Sequence, residues 1–234
     1  MPLPTVILPG YLAGAEPYQE MELALQKLGF PAVTVPLKRR DWLPTVGGRS
    51  VRPILEQLDQ TVRQAMADHG SSTVNLVGHS AGGWISRIYL GEKAYDIHPS
   101  DRGKSCLWSA HHQITTLITL GTPHMTQERW TLKNLDFVNQ TYPGAYYANQ
   151  VNYICIAGKS VYGRQNWQGW FTYNSYKLTC GNGDCWGDGI TPIEAAHLEG
   201  AKNLVLDNVM HSPKPDGVWY GASEVVDNWA TYLT

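Results

Sequence analysis

Three residue types, arranged in one order along the chain, carry the chemistry this sequence can perform: a serine in a tight turn, then a carboxylate, then a histidine. The serine is Ser80, in Gly78-His79-Ser80-Ala81-Gly82, a G-x-S-x-G motif. The apolar run Val74–Val77 precedes it and a helical pattern, Ala81 to Leu90, follows it. Strand before and helix after is the setting in which this motif presents a nucleophile. The turn has to be tight enough to project the hydroxyl from a sheet edge, and the two glycines remove side chains that would clash across it. The helix behind Ser80 also points its positive end at the site, which favours a developing anion.

A serine hydroxyl is a weak nucleophile until a base takes its proton. Eight histidines compete for that role. His69 closes a helix, and His79 lies inside the turn with its side chain directed away from the serine. His98, His111 and His112 fall in an irregular segment, His124 follows a strand, and His197 falls in a helical stretch. His211 comes just after the last apolar run, Asn203 to Leu206, where the carboxyl ends of parallel strands converge. It is the expected base. The expected acid is Asp188, in Gly187-Asp188-Gly189-Ile190-Thr191-Pro192, with Asp184 as the alternative. Asp216 follows His211 and so stands in the wrong order. The acid would hold the imidazole tautomer and stabilise imidazolium without taking the proton. An oxyanion needs two preplaced N–H donors. The backbone of Ala81 is one; Tyr11 is the choice for the other and Leu12 the alternative, in the turn Pro9 to Gly14.

These residues need a scaffold whose strands end on one rim. Thr5–Leu8, Pro31–Leu37, Val74–Val77, Ile114–Leu120, Val151–Ala157 and Asn203–Leu206 read as strands. Between them, Glu16–Leu28 carries Met21, Leu25 and Leu28 on one face and ends at Gly29. Ser50 opens a longer helix, in which Val51, Ile54, Leu55, Leu58, Val62 and Met66 recur at helical spacing up to His69-Gly70. A last helix is expected over Ala222–Leu233, and Asp41–Arg49 reads as a loop. Strands alternating with helices imply about six mostly parallel strands flanked by helices, an α/β fold in one domain over residues 1–234. Two segments break the alternation: Ala94–His112 and the aromatic stretch Lys159–Trp186. The second, residues 159–186, reads either as a self-packed loop or as a cap over an acyl pocket or against a lipid surface.

Composition excludes several classes. The chain has 234 residues, a net charge of −2, and 16% charged residues, with no basic patch beyond Lys38-Arg39-Arg40, so nucleic acid is not an expected partner. No apolar stretch approaches the roughly 18 residues of a membrane span, and the start of the chain lacks the pattern of a signal peptide, so a cytoplasmic location is the expectation. Of four cysteines, Cys180 and Cys185 are close enough in sequence to pair. Asn182, Asp184 and Asp188 fall short of an EF-hand calcium loop. Neighbouring histidines such as His111-His112 diverge along a strand. No metal and no cofactor are expected.

The combination resembles the lipase/esterase branch of the α/β-hydrolase family over nearly the whole chain. The matching pieces are the first strand with Pro9-Gly10-Tyr11, the Ser80 motif, Leu120-Gly121-Thr122-Pro123-His124, the Gly187–Pro192 run and the late His211. Lipases often carry His-Gly after the first strand, where this chain has Pro9-Gly10. The resemblance implies a Ser80–Asp188–His211 triad and hydrolysis of acyl esters, glycerolipids foremost, with transient contact to a lipid surface. An acyltransferase or thioesterase would use the same triad, and a catalytically silent binding protein would use the same scaffold.

Overall fold

The computed structural model describes residues 2–213 and 217–234, with only the backbone described over residues 129–131. Asp216 therefore lies outside the described residues. The chain forms β1 (Thr5–Leu8), α1 (Gln19–Lys27), β2 (Ala32–Thr34), α2 (Arg52–His69), β3 (Val74–His79), α3 (Ala81–Leu90) and β4 (Ile114–Leu120). There follow α4 (Arg129–Thr141), β5 (Asn152–Lys159), β6 (Val161–Tyr162), α5 (Trp170–Cys180), β7 (Trp186–Gly187) and α6 (Ile193–Ala196). The chain closes with β8 (Lys202–Asp207), β9 (Val209–Met210), β10 (Val218–Trp219) and α7 (Ser223–Trp229).

Six strands make one parallel sheet in the order β2-β1-β3-β4-β5-β8. Both faces of the inner strands β1, β3, β4 and β5 are covered, so these read as largely apolar runs, while the edge strands β2 and β8 stay partly exposed. Val6, Leu8 and Leu76 point to the layer of α2, α3 and α4, where Ile54, Trp84 and Leu135 meet them. Ile7, Val77 and Ile118 point to the other layer, against Met21 and Leu25 of α1 and Val226 and Trp229 of α7. Chain order runs outward from β1 in both directions, to β2 on one side and β3 on the other. That reversal opens a crevice at the carboxyl ends of β1 and β3, where parallel α/β sheets take their ligands.

Several sequence expectations are adjusted. The second strand is confined to Ala32–Thr34, because Pro36 follows it and withholds a ladder hydrogen bond. Leu28 is exposed at the end of α1 rather than packed with Met21 and Leu25. Residues Arg39–Thr45 form a 3₁₀ helix that overlaps the start of the expected loop Asp41–Arg49. His197 follows α6 in extended backbone instead of lying within a helix. His111 and His112 belong to a 3₁₀ turn, Ala110–His112, so their rings converge to 3.7 Å between centroids and do not diverge as on a strand. Helix α4 had no counterpart in the sequence reading.

The aromatic stretch is a structured insertion. Strands β6 and β7 pair antiparallel and α5 crosses between them. All four cysteines are free thiols, and Cys180 and Cys185 both direct Sγ at the Asn182 carbonyl. Among the described residues, no helix is long and apolar enough to cross a membrane.

Candidate active site

Ser80 sits between β3 and α3 with φ 52° and ψ −124°. For a residue with a Cβ this is strained backbone, held only because its surroundings leave no alternative. A Cβ on Gly78 would come within 2.6 Å of Gly83 Cα, and one on Gly82 within 2.5 Å of the Leu8 carbonyl oxygen. Both positions therefore require glycine, and the close approach of Gly82 to β1 seats the turn against the first strand.

The turn after β1 lies across the crevice from Ser80. A Cβ on Gly10 would be 3.0 Å from Ser80 Cβ. Trp42 donates from Nε1 to the Ala13 carbonyl at 2.8 Å and meets the Tyr11 ring edge-on at 5.4 Å, and Arg39 Nε donates to the Leu12 carbonyl at 3.2 Å. Leu12 has φ 57°. Among the described residues, neither the Tyr11 N–H nor the Ala81 N–H has a protein acceptor. Both belong to segments lining the opening above Ser80.

Asp188 and His211 meet on the same rim. Asp188 Oδ2 accepts from His211 Nδ1 at 2.8 Å and from the Tyr220 hydroxyl at 2.8 Å. Its Oδ1 accepts from the N–H groups of Ile190 at 3.0 Å and Thr191 at 2.7 Å. Its own carbonyl accepts the His211 N–H at 2.9 Å. Burial alone would raise the Asp188 pKa. The charge and hydrogen bond of His211, with the two backbone donors, outweigh it and hold the carboxyl below its ordinary value. The bond to Asp188 fixes the hydrogen on His211 Nδ1, which leaves Nε2 to accept. Ser80 and His211 line one cleft of about 1010 Å³, although among the described residues Ser80 Oγ has no hydrogen-bond partner. Such bonds are often long before substrate binds.

Asp184 is exposed, and its N–H bonds to Asn182 Oδ1 within its own loop, away from His211. Both carboxylate oxygens of Asp188 are engaged as described.

Four residues of this site were not singled out from sequence. His79 is buried beneath Ser80 and bridges both sides of the crevice. Its Nε2 donates to the His211 carbonyl at 2.8 Å, and its Nδ1 accepts from the Tyr18 hydroxyl at 2.7 Å. Tyr18 in turn accepts the Gly10 N–H at 2.8 Å. Burial, with the adjacent His211, pushes the His79 pKa down to about 3 and keeps the ring neutral, as this donor–acceptor pattern demands. Tyr220, besides binding Asp188, accepts the Gly158 N–H at 2.7 Å. Tyr176 of α5 accepts the Gly189 N–H at 2.8 Å and donates to the Val161 carbonyl at 3.0 Å, so the insertion braces the acid turn. The only sequence signal was the apolar company these residues keep, which does not separate a packing ring from a hydrogen-bonding one.

A second cavity, about 320 Å³, opens from Ser80 on the other side and is lined by the apolar Trp84, Leu135, Leu178 and Ile190 together with polar groups such as Thr45 and Asn134.

Comparison with known proteins agrees with this geometry at the level of fold. The family model described as a PGAP1-like alpha/beta domain matches residues 45–155, the stretch that holds β3, Ser80, α3 and β4. No curated protein sequence matches the chain. An uncharacterized protein from Bacillus cereus ATCC 10987 is similar in structure, with a TM-score of 0.50 at 11% identity, over 100% of this chain and 60% of that one. Aspergillus fumigatus lipase B aligns with a TM-score of 0.44 at 15% identity, over 67% of this chain and 37% of its own. A predicted CIB-like hydrolase from Thermoplasma acidophilum gives 0.45 at 11% identity, over 97% and 86%. The chain thus spans well under half the length of the lipase.

Proposed function

We propose that this chain, which has the α/β-hydrolase fold, is a serine hydrolase of carboxylic esters with an apolar acyl group. The observation that carries the proposal is the arrangement at one sheet rim: a strained Ser80, and a buried His211 whose Nδ1–H is held by a fully hydrogen-bonded Asp188. A scaffold used only for binding has no physical need for a strained serine and an oriented imidazole in the same cleft.

In the proposed mechanism, His211 Nε2 takes the proton from Ser80 Oγ as the oxygen attacks the acyl carbonyl. The carbonyl π electrons move onto oxygen, and the N–H groups of Ala81 and Tyr11 receive that charge. The imidazolium gives its proton to the departing alcohol oxygen and the acyl–oxygen bond breaks. Water, deprotonated by His211, then attacks the acyl-enzyme and returns Ser80 to its hydroxyl form. Asp188 stays ionised throughout, in keeping with its lowered pKa.

Two features support an apolar acyl group. The smaller cavity beside Ser80 carries Val51, Trp84, Leu135 and Ile190 on its walls, among threonine and serine side chains. The insertion exposes Trp167 (87%), Trp170 (64%) and Phe171 (65%) to solvent. Large exposed apolar rings of this kind fit a surface that meets something apolar, and on this reading that is a lipid aggregate presenting the ester.

Hydrolysis of p-nitrophenyl esters from acetate to palmitate tests the proposal, with Ser80→Ala as control. Turnover rising with chain length and lost in the variant is the expected result. Turnover confined to acetate and butyrate would remove the lipase-like reading. Acyl transfer to an added alcohol in preference to water would make the enzyme a transferase.

A further inference from the structure

The far end of α3 from Ser80 carries a second constellation. Glu92 follows the end of this helix, and His111 and His112 come from the 3₁₀ turn that feeds β4. His111 is buried, and its ring lies flat on Tyr147, with centroids 4.3 Å and planes 8° apart. His111 Nδ1 is 3.1 Å from the Leu90 carbonyl, so Nδ1 carries the hydrogen and donates. A neutral ring then presents the lone pair of Nε2, which faces Glu92 Oε1 at 3.5 Å. The His112 ring packs on that of His111 at 3.7 Å between centroids. One ligand atom from each of the three residues lies within 4.8 Å of the others.

Electron-rich atoms converging in this way call for a cation. A proton on His111 would serve the Glu92 contact alone; a divalent ion would serve all three groups. We propose that Glu92, His111 and His112 form a binding site for a borderline divalent transition metal, Zn²⁺ foremost, with water as the fourth ligand. Two imidazoles and a carboxylate are a donor set that suits this class of ion. A buried imidazole donating its other ring N–H to a backbone carbonyl is the outer-sphere arrangement that orients a metal ligand. Tetrahedral zinc, with bonds of about 2.0–2.1 Å, needs its ligand atoms roughly 3.4 Å apart. Glu92 and His112 are both exposed and free to close that difference, while His111 stays fixed. The bound ion would clamp the end of the nucleophile helix to the turn before β4. Its role is in stability, and it stands independently of the chemistry at Ser80.

The experiment titrates metal-stripped protein with ZnCl₂ by calorimetry, records thermal unfolding with and without zinc, and repeats both with His112→Ala and Glu92→Gln. Matching metal-free Tm values establish that the variants fold. One equivalent of zinc should bind. Each variant should weaken it by roughly tenfold or more, the scale on which metal sites respond to lost contacts. At a hundredfold excess over the wild-type Kd, zinc should raise Tm by roughly 5–10 °C, and His112→Ala should cut that rise by about half or more at the same zinc concentration. Equal affinity in wild type and both variants would overturn the proposal, as would binding with no Tm rise. A thiolate charge-transfer band with Co²⁺ would place the ion on Cys180 and Cys185 and would overturn it too. Zinc-free His112→Ala should keep wild-type ester turnover, so the metal result is readable whether or not Ser80 proves to be a nucleophile.

Discussion

The acid turn and the outer face of α5 adjoin in the chain and are built on opposite terms. Around Asp188 both carboxylate oxygens are saturated with donors, and the neighbouring Tyr220, His211 and Thr191 are buried with it. On α5, only Tyr176 is buried, and Trp170 and Phe171 stand in solvent. A buried charge that lacks a partner is costly, so the floor of the site admits one arrangement. Exposed apolar rings are under no such constraint and fit a surface that changes partners. The difference separates what the protein holds fixed from what it leaves available to substrate.

Substitutions in the floor should have the largest effects. Ser80→Ala should lower ester turnover by about 10⁴-fold or more while leaving the Tm near wild type, because it removes only the nucleophilic hydroxyl and keeps the Cβ and its backbone geometry. Asp188→Asn should cost up to about 10⁴-fold in kcat, since the amide can present a donor to Nδ1 and select the wrong tautomer. If either variant kept near-wild-type kcat, the floor would not be the reacting centre.

The pH dependence of folding sharpens the comparison next. His79 is held neutral in the fold, with its pKa at about 3 against an ordinary value near 6.5. Between these values the unfolded chain binds a proton that the native state does not, so stability is complete above pH 6.5 and falls as pH drops toward 3. His124, also pushed down by burial and the nearby Arg87, acts in the same direction. Each group contributes a slope of up to about 1.4 kcal/mol per pH unit in that window. Asp188, with a lowered pKa, adds a loss of the same sign below about pH 4. Denaturant unfolding at pH 7.5, 6 and 5 measures it; a flat profile would contradict a neutral buried His79.

A smaller effect is expected from Tyr18→Phe, which deletes one hydroxyl and strands both the Gly10 N–H and His79 Nδ1. The loss should be about 1–3 kcal/mol of stability, with kcat reduced through misplacement of the oxyanion turn, and chemical denaturation with parallel kinetics reads both. The smallest effect belongs to the rim. Trp170→Ser with Phe171→Ser should leave short soluble esters unaffected and slow only emulsified long-chain ones. Equal slowing of both substrate types would tie the rim to the floor and erase the distinction.

Much of this was legible in the sequence, for reasons that also mark the limit. Helix α3 and strand β4 fall where the pattern put them, since α3 is buried at every position and β4 at all but Thr115, and both are mostly apolar. The order of serine, acid and base anticipated the meeting of Asp188 with His211, because parallel strands deliver their carboxyl ends to one rim. Helix α4 escaped notice. Its core positions Leu135, Phe137 and Val138 are interspersed with Asn134, Asp136 and Asn139, which favour helix poorly. Tertiary packing settled that segment. The links of His79 to Tyr18 and to His211 span 61 and 132 residues, and nothing in one sequence says which buried rings will meet at such separations.

The most direct test of the central claim is covalent labelling with a fluorophosphonate, followed by mass mapping of the labelled peptide. The account predicts a single adduct on Ser80, formed far more slowly in His211→Ala and absent in Ser80→Ala. A folded protein that takes no label, or takes it equally on another serine such as Ser86 or Ser212, would contradict it.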